Sequence, residues 1–195
     1  FLYAVNITTE AYRVLELADK ALEHGANALM VDVITAGYSA VRVLAEDPSV
    51  NVPIHCHRCM HAAFTRNPRH GISMMVVAKL TRLAGGDQLH TGTAAGKMGG
   101  REKKLEEIKA INGFLRGEFY GLKTVFPVAS GGIHPGIVPI NVKELGVDVV
   151  IQAGGGVHGH PWGTRAGAAA MRQAIEAVMK GIPLEEYAKT HKELR

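Results

Sequence analysis

The chain is predicted to be an α/β protein, part of a TIM (β/α)8 barrel, on three observations. Short β-rich runs alternate with longer helical patterns along all 195 residues. Six such units recur about every 30 residues, the size of a βαβ step. Nearly every strand from the third onward runs into reactive or glycine-rich residues. Alternation of this kind implies parallel strands joined by crossover helices. Two architectures satisfy it: an open doubly wound sheet, whose ligands gather at one switch point, and a barrel, whose strand ends converge on one mouth. The spread of strand-end chemistry favours the barrel. Six units cannot close an eight-stranded ring, so the chain is read as a partial barrel, strands three to eight, in one domain.

Strands are expected over residues 2–7, 28–33, 52–58, 87–91, 125–130 and 149–153. Helices are expected over 9–24, 38–46, 71–83, 102–116, 135–145, 163–179 and 184–194. Thr9 is a candidate cap for the first helix, Gly25 its end, and Gly181 the end of the alanine-rich helix. A composition of 47% hydrophobic and 21% charged residues argues against disorder and against a membrane protein. The best apolar run, 72–78, is ended by Lys79, far short of the ~18 residues that span a bilayer. The net charge of +4 is mild, and its Lys and Arg residues are interspersed with acids, as over 101–107. That pattern reads as a solvated helix face, so neither nucleic acid nor membrane is expected as a partner. Two cysteines, Cys56 and Cys59, form no disulfide framework, which points to a reducing, cytoplasmic setting. The chain opens at Phe1 on what reads as a strand already under way, without a signal sequence, and a truncated start is expected.

The run His55-Cys56-His57-Arg58-Cys59-Met60-His61 has the residue types of a metal site. Strand alternation, however, sets His55 and His57 opposite to Cys56, and a structural zinc site needs four converging ligands. No metal is therefore assigned there, and both cysteines are expected to be buried as small apolar residues. His57 and Arg58 differ, because they end a strand and a buried Arg calls for an anionic partner. After the next strand, His90 opens a loop with Gly92, Gly96, Gly99 and Gly100 around Lys97. Its spacing does not fit a phosphate-binding P-loop. It reads either as a flexible surface loop with a solvated lysine or as a mobile lid carrying an ammonium over a ligand.

Two further strands end in Ser130-Gly131-Gly132 and in Gln152-Ala153-Gly154-Gly155-Gly156, each leading into a helix. Glycine lets backbone amides approach an anion, and a helix N-terminus favours negative charge. Tight turns that need positive φ are the plainer reading; their position after the last two barrel strands favours phosphate binding. His24, His70 and His191 are expected at the surface, with His134, His158 and His160 near the mouth.

Taken together, His55-x-His57-Arg58-x-Met60-His61-Ala62, Gly86-Asp87-Gln88-Leu89-His90-Thr91-Gly92-Thr93, Gly96-Lys97, Ser130-Gly131-Gly132-Ile133-His134 and Gly154-Gly155-Gly156 through His160-Pro161 resemble the ribulose bisphosphate carboxylase (RuBisCO) large subunit. The resemblance runs in order along essentially the whole chain. The stretches 62–68 and 70–74 and the tail 181–194 look most like the archaeal form III branch, which is tied to nucleoside-monophosphate salvage. It implies a lyase that adds CO2 to ribulose bisphosphate, giving two 3-phosphoglycerates, with oxygenation by O2 in competition. It implies that His57 accepts a proton after enolisation and that Lys97 stabilises the forming carboxylate. Arg58, His90 and Ser130 would hold one end of the bisphosphate; Gly132, Gly154 and Gly155 the other, with Gly131, Gln152 and Ala153 beside them.

Two departures accompany it. The family's carbamylated lysine and magnesium-binding acids lie on a strand that would precede Phe1, so Mg2+ is implied as cofactor with its ligands outside this chain. The isolated chain is then expected to be inactive. Secondly, Met98 is followed by Gly99 where the family usually has an acid. A homodimer or larger homo-oligomer of the full subunit is implied. Two rival readings are a RuBisCO-like enolase or isomerase of a sugar phosphate, against which the retained Lys97, Arg58, His90 and Ser130 argue, and a non-catalytic sugar-phosphate-binding module.

Overall fold

The computed structural model describes residues 2–67, 69–97 and 102–195, so the expectation about Met98 and Gly99 lies outside the described residues. The elements in chain order are β1 (Ala4–Asn6), α1 (Val14–Glu23), β2 (Ala28–Asp32), α2 (Val33–Ala36), α3 (Tyr38–Glu46), β3 (Ile54–His57), α4 (Ala62–Thr65), α5 (Met74–Leu83), β4 (Gln88–His90), α6 (Glu102–Arg116), β5 (Phe126–Ser130), α7 (Val138–Leu145), β6 (Val150–Gln152), α8 (Gly155–His158), α9 (Thr164–Met179) and α10 (Leu184–Tyr187). Their strands lie in one sheet in sequence order, β1 to β6. Every pair with a resolved register, β1·β2, β2·β3, β3·β4 and β5·β6, is parallel. A doubly wound sheet would reverse its order at a switch point; consecutive order is that of a partial α/β barrel.

All six expected strands are present, each shorter than its sequence pattern. Helices α3 and α6 have the expected bounds. Thr9 does not cap α1. Its hydroxyl bonds Glu10 Oε2 at 2.6 Å, and a 3-10 turn at Ala11–Arg13 precedes the helix, which leaves Thr9 outside it. The expected helix 184–194 ends at Tyr187. There the Thr190 hydroxyl and the His191 ring both bond the Tyr187 carbonyl, at 3.3 and 2.9 Å, which a continuing helix would have needed for its own ladder. By contrast, Gly25 and Gly181 end α1 and α9 as expected, at φ +90° and +68°. The following amides, of Ala26 and Ile182, reach back to the Ala21 and Ala177 carbonyls. This is the Schellman arrangement, whose left-handed position glycine occupies without a Cβ penalty.

The chain divides into two compact units. One comprises Phe1–His90 with Ile111–Pro127, the other Thr91–Ala110 with Val128–Arg195. The first packs Val14, Leu29, Val31, Val41, Leu44, Ile54, Cys56, Val77, Leu89 and Leu115 into one apolar core. In the second, Ile108, Ala129, Ile133, Val138, Leu145, Met171 and Ala174 form the core. Helix α9 shows how its sequence seats it: Gly167, Ala170, Met171, Ala174 and Ala177 recur at helical spacing and are the buried positions. No helix among the described residues is long and apolar enough to cross a membrane.

One charged side chain lies in the first unit's interior. Arg82 is 1% exposed. Its Nε donates to the Lys123 carbonyl at 2.8 Å, Nη1 to Phe114 at 2.6 Å, and Nη2 to Gly117 and Leu122 at 2.8 and 2.9 Å. Phe114 and Phe119 each offer a ring centroid 5.5 Å from the guanidinium. A fork of fixed donors thus gathers the carbonyls at the end of α6 and of the turn after it, with no carboxylate bonded to it among the described residues. Arg82→Met should leave these carbonyls unpaired and lower stability by about 3 kcal/mol. Urea denaturation of the purified protein measures this; a loss under ~1 kcal/mol would show that the clamp contributes little.

Candidate functional site

In the first unit the chemistry collects at the C-terminal ends of β2, β3 and β4. The β2–β3 register sets Asp32 opposite His57, and the β3–β4 register sets His55 opposite Gln88. Asp32 Oδ1 lies 2.7 Å from His57 Nδ1. A carboxylate only accepts, so Nδ1 carries a proton, and in the neutral ring the lone pair then lies on Nε2. His57 also meets His90 edge to face, with centroids 4.5 Å apart. His55 Nδ1 lies 2.7 Å from Gln88 Oε1, and His55 Nε2 lies 2.7 Å from His90 Nε2. With Gln88 Oε1 as acceptor, His55 donates from Nδ1 and receives the Nε2 proton of His90. His55 and His90 are buried, whereas His57 and Arg58 are half-buried. The strand ends therefore carry a connected set of Asp32, His57, His90, His55 and Gln88 with defined tautomers.

Beyond β3 the chain turns at once. The His61 amide bonds the Arg58 carbonyl at 3.0 Å, and Met60 between them has φ +65°. A non-glycine residue in this region costs about 1 kcal/mol. Met60 also takes a contact of 3.8 Å from the Thr35 hydroxyl to its sulfur. Cys59 is exposed on this turn, which corrects the expectation that both cysteines are buried. Cys56 is fully buried in the first unit's core, and that burial pushes its thiol well above the usual range. The strand thus separates Cys56 from His55 and His57, as alternation requires.

In the second unit the residues singled out after β4, β5 and β6 come together. The Lys97 amide donates to the Gly131 carbonyl at 2.9 Å. Gly132, at φ +77°, lies beneath the lysine stem; a Cβ there would stand 2.7 Å from Lys97 Cγ and 2.9 Å from its backbone nitrogen. Gly96, at φ +140°, lies against the Gly131 carbonyl so closely that a Cβ has no room. Strand pairing sets Ser130 opposite Gln152. Gly156 abuts the Ile133 carbonyl and His134, so the two glycine turns pack on each other. Gly155 and Gly156 open α8, whose first amides have no intrahelical acceptor. Lys97, Gly132, Gln152, Gly154 and Gly155 are exposed; Ser130, Gly131 and Ala153 are partly so. One unit therefore presents an ammonium, a hydroxyl and two glycine-rich runs of backbone donors.

Of the remaining histidines, His24 and His70 are exposed as expected, and His191 is half-buried, stacked on Tyr187 at 3.8 Å. His160 is a packing residue: Nε2 bonds the Glu193 carbonyl at 3.0 Å, and Nδ1 accepts the Trp162 amide at 3.1 Å. No grouping of three or more His, Cys, Asp or Glu among the described residues can hold a metal ion. The strand-end acid Asp32 is already bonded to His57, and a Mg2+ ion seeks several oxygen ligands, so these residues do not fit that cofactor. Sequence reasoning missed Asp32, although it ends a strand like the residues that were found. It also missed the buried Asn141, which carried no local signal.

Comparison with known proteins shows what the chain as a whole is similar to. The sequence model of the ribulose bisphosphate carboxylase large chain catalytic domain matches residues 1–195. A ribulose bisphosphate carboxylase of Pyrococcus horikoshii is 50% identical over 194 residues, 99% of this chain and 44% of the relative. The crystal structure of octameric ribulose-1,5-bisphosphate carboxylase/oxygenase from the same organism superposes with a TM-score of 0.93 at 49% identity, over 99% of this chain and 46% of that one. A rubisco-like protein of Alicyclobacillus acidocaldarius gives a TM-score of 0.88 at 42% identity, over 100% and 48%. The chain spans about half the length of the relatives it matches.

The contrasting cysteines give a direct check of the β3 face assignment. A disulfide-exchange reagent should titrate one thiol, Cys59, in the native protein, and the second only after unfolding. Fast modification of both in the folded state would mean that Cys56 does not face the core.

Proposed function

The chain belongs to the ribulose bisphosphate carboxylase large-chain family, and on that footing we propose that it is the C-terminal part of a catalytic barrel, strands three to eight. The whole protein is a cytoplasmic, archaeal-type enzyme that joins CO2 to ribulose bisphosphate and, with one water, cleaves the product to two 3-phosphoglycerates. O2 competes as oxidant at the same enediolate, and nucleoside-monophosphate salvage supplies the sugar. The observation that carries this reading is the seating of Lys97 on the Ser130–Gly132 turn, which joins a cation to anion-binding backbone.

Each residue then has a task. Arg58, His90 and Ser130 hold one phosphate through charge-assisted and hydroxyl hydrogen bonds. The amides of Gly132, Gly154 and Gly155 hold the other, beside Gly131, Gln152 and Ala153, because glycine exposes backbone donors at a helix start. His57, its Nδ1 proton held by Asp32, presents Nε2 as the proton acceptor after enolisation. Lys97 meets the negative charge that develops as the new carbon–carbon bond forms. The family's Mg2+ and carbamylated lysine would be held by residues outside this chain, and the isolated 195 residues are expected to show no turnover. Assembly into a homodimer or larger homo-oligomer of the full subunit is part of the same reading.

Two substitutions in the full-length protein separate these tasks. Lys97→Met should lower carboxylation by a factor of about 100 or more. It should leave proton exchange at the substrate carbon and bisphosphate affinity close to wild type. Arg58→Ala should instead weaken bisphosphate binding by roughly 10–100-fold, the loss of one charge-assisted bond. Carboxylation unaffected by Lys97→Met would remove the lysine from its role. Proton exchange without any carboxylation in the unaltered protein would favour the enolase or isomerase reading, and binding without either the non-catalytic one.

A further inference from the structure

Asn141 is completely buried on α7. Its amide spans the stem of the loop that carries Lys97. Oδ1 lies 2.6 Å from the Thr93 hydroxyl, 2.9 Å from the Ala94 amide and 3.3 Å from the Ala95 amide. Nδ2 donates to the Ala95 carbonyl at 3.1 Å and to the Ile137 carbonyl of its own helix at 3.0 Å. One side chain therefore serves the polar groups of three successive loop residues and ties them to the first turn of α7.

The stem has little else to hold it. Gly92-Thr93-Ala94-Ala95-Gly96 offers no large apolar side chain, so packing alone gives it little reason to keep one conformation. Without the amide the Ala94 and Ala95 N–H groups would lose their acceptor, and the Ala95 carbonyl would keep only the Thr93 hydroxyl. Two residues past Ala95 stands Lys97, anchored in turn by its amide to Gly131 and by its stem over Gly132. The lysine backbone is thus fixed from both directions. A cation stabilises developing charge only when it is held in place beforehand, and a displacement near 1 Å is worth about a hundredfold in rate.

We propose that Asn141 is a positioning residue for Lys97: it locks residues 93–95 so that the ammonium is presented from a rigid base. The step that depends on Lys97 therefore depends on Asn141. This inference rests on the carboxylase reading of the site, but it concerns a residue that touches no substrate.

The experiment compares the full-length protein with Asn141→Ala and Asn141→Leu; the latter fills the space without hydrogen bonds and serves if the alanine variant folds poorly. Carboxylation should fall about 10–100-fold in both. Proton exchange at the substrate carbon and bisphosphate affinity should stay within about twofold, which a general loss of structure would not allow. Amide hydrogen exchange at Ala94 and Ala95 should speed up by at least about tenfold, with the rest of the chain unchanged. Unchanged carboxylation despite faster exchange would overturn the proposal. So would a parallel fall of carboxylation and proton exchange, or unaltered protection of the two amides. Lys97→Met is the control: if it leaves carboxylation intact, the reading of the site has failed. If it abolishes carboxylation while the Asn141 variants retain it, only the present inference has.

Discussion

The pairing of β2 with β3 sets Val31 opposite Cys56 and Asp32 opposite His57, and the remaining chemistry of the first unit follows from that register. Side chains on a strand alternate, so a slip of one residue would exchange the two faces. Cys56 would leave the core it shares with Leu29, Val31 and Leu89, and two imidazoles would enter it. Burying an imidazole among aliphatic side chains without a partner costs several kcal/mol, far more than the register loses by holding a thiol there. The apolar face thus selects the register, and the polar face inherits it. Parallel pairing then brings His57 and His90 to one edge, where Asp32 and Gln88 settle which ring nitrogens carry protons.

What could be read from the sequence was whatever is decided locally. Strand-to-helix alternation, the glycine ends of α1 and α9, and the strand-end positions of His57, His90, Ser130 and Gly154 all leave signatures within a few residues. Where two local signals compete, the reading goes astray. The tail after Tyr187 has helical composition, but Thr190 and His191 have side chains that take the carbonyl the ladder would use. Cys59 follows a buried strand by only two residues, yet it sits in a turn in which Met60 adopts a positive φ that nothing in its side chain announces.

Arg82, Asn141 and Asp32 were illegible for a different reason. Apart from the Ile137 carbonyl on Asn141's own helix, the partners named for them lie between 25 and 48 residues away. An arginine in an amphipathic helix reads as solvated, and an asparagine in one reads as a weak helix former. Only the fold shows that Arg82 collects four carbonyls, or that Asn141 replaces the apolar contacts the Lys97 loop lacks. In both cases a side chain supplies backbone hydrogen bonds that an irregular segment cannot make for itself. Buried polar groups of this kind make a loop specific in shape without making it hydrophobic.

The two units use different chemistry, and the difference has a physical consequence for the proposed reaction. The first offers imidazoles whose ring nitrogens both donate and accept protons and are oriented by their neighbours. Such groups suit a step that moves a proton. In the second, the donors are backbone amides, a hydroxyl and a lysine. They suit the holding of phosphate and the stabilisation of a growing carboxylate, whose charge persists throughout. Had imidazoles been the sole grip on the substrate, each proton transfer would also have loosened or tightened its binding. Glycine amides avoid that coupling, since their dipoles are set by backbone geometry alone. The close packing of Gly96, Gly131, Gly132 and Gly156 follows from the same requirement, because a Cβ at Gly96, Gly132 or Gly156 would push apart the segments that bring those dipoles together.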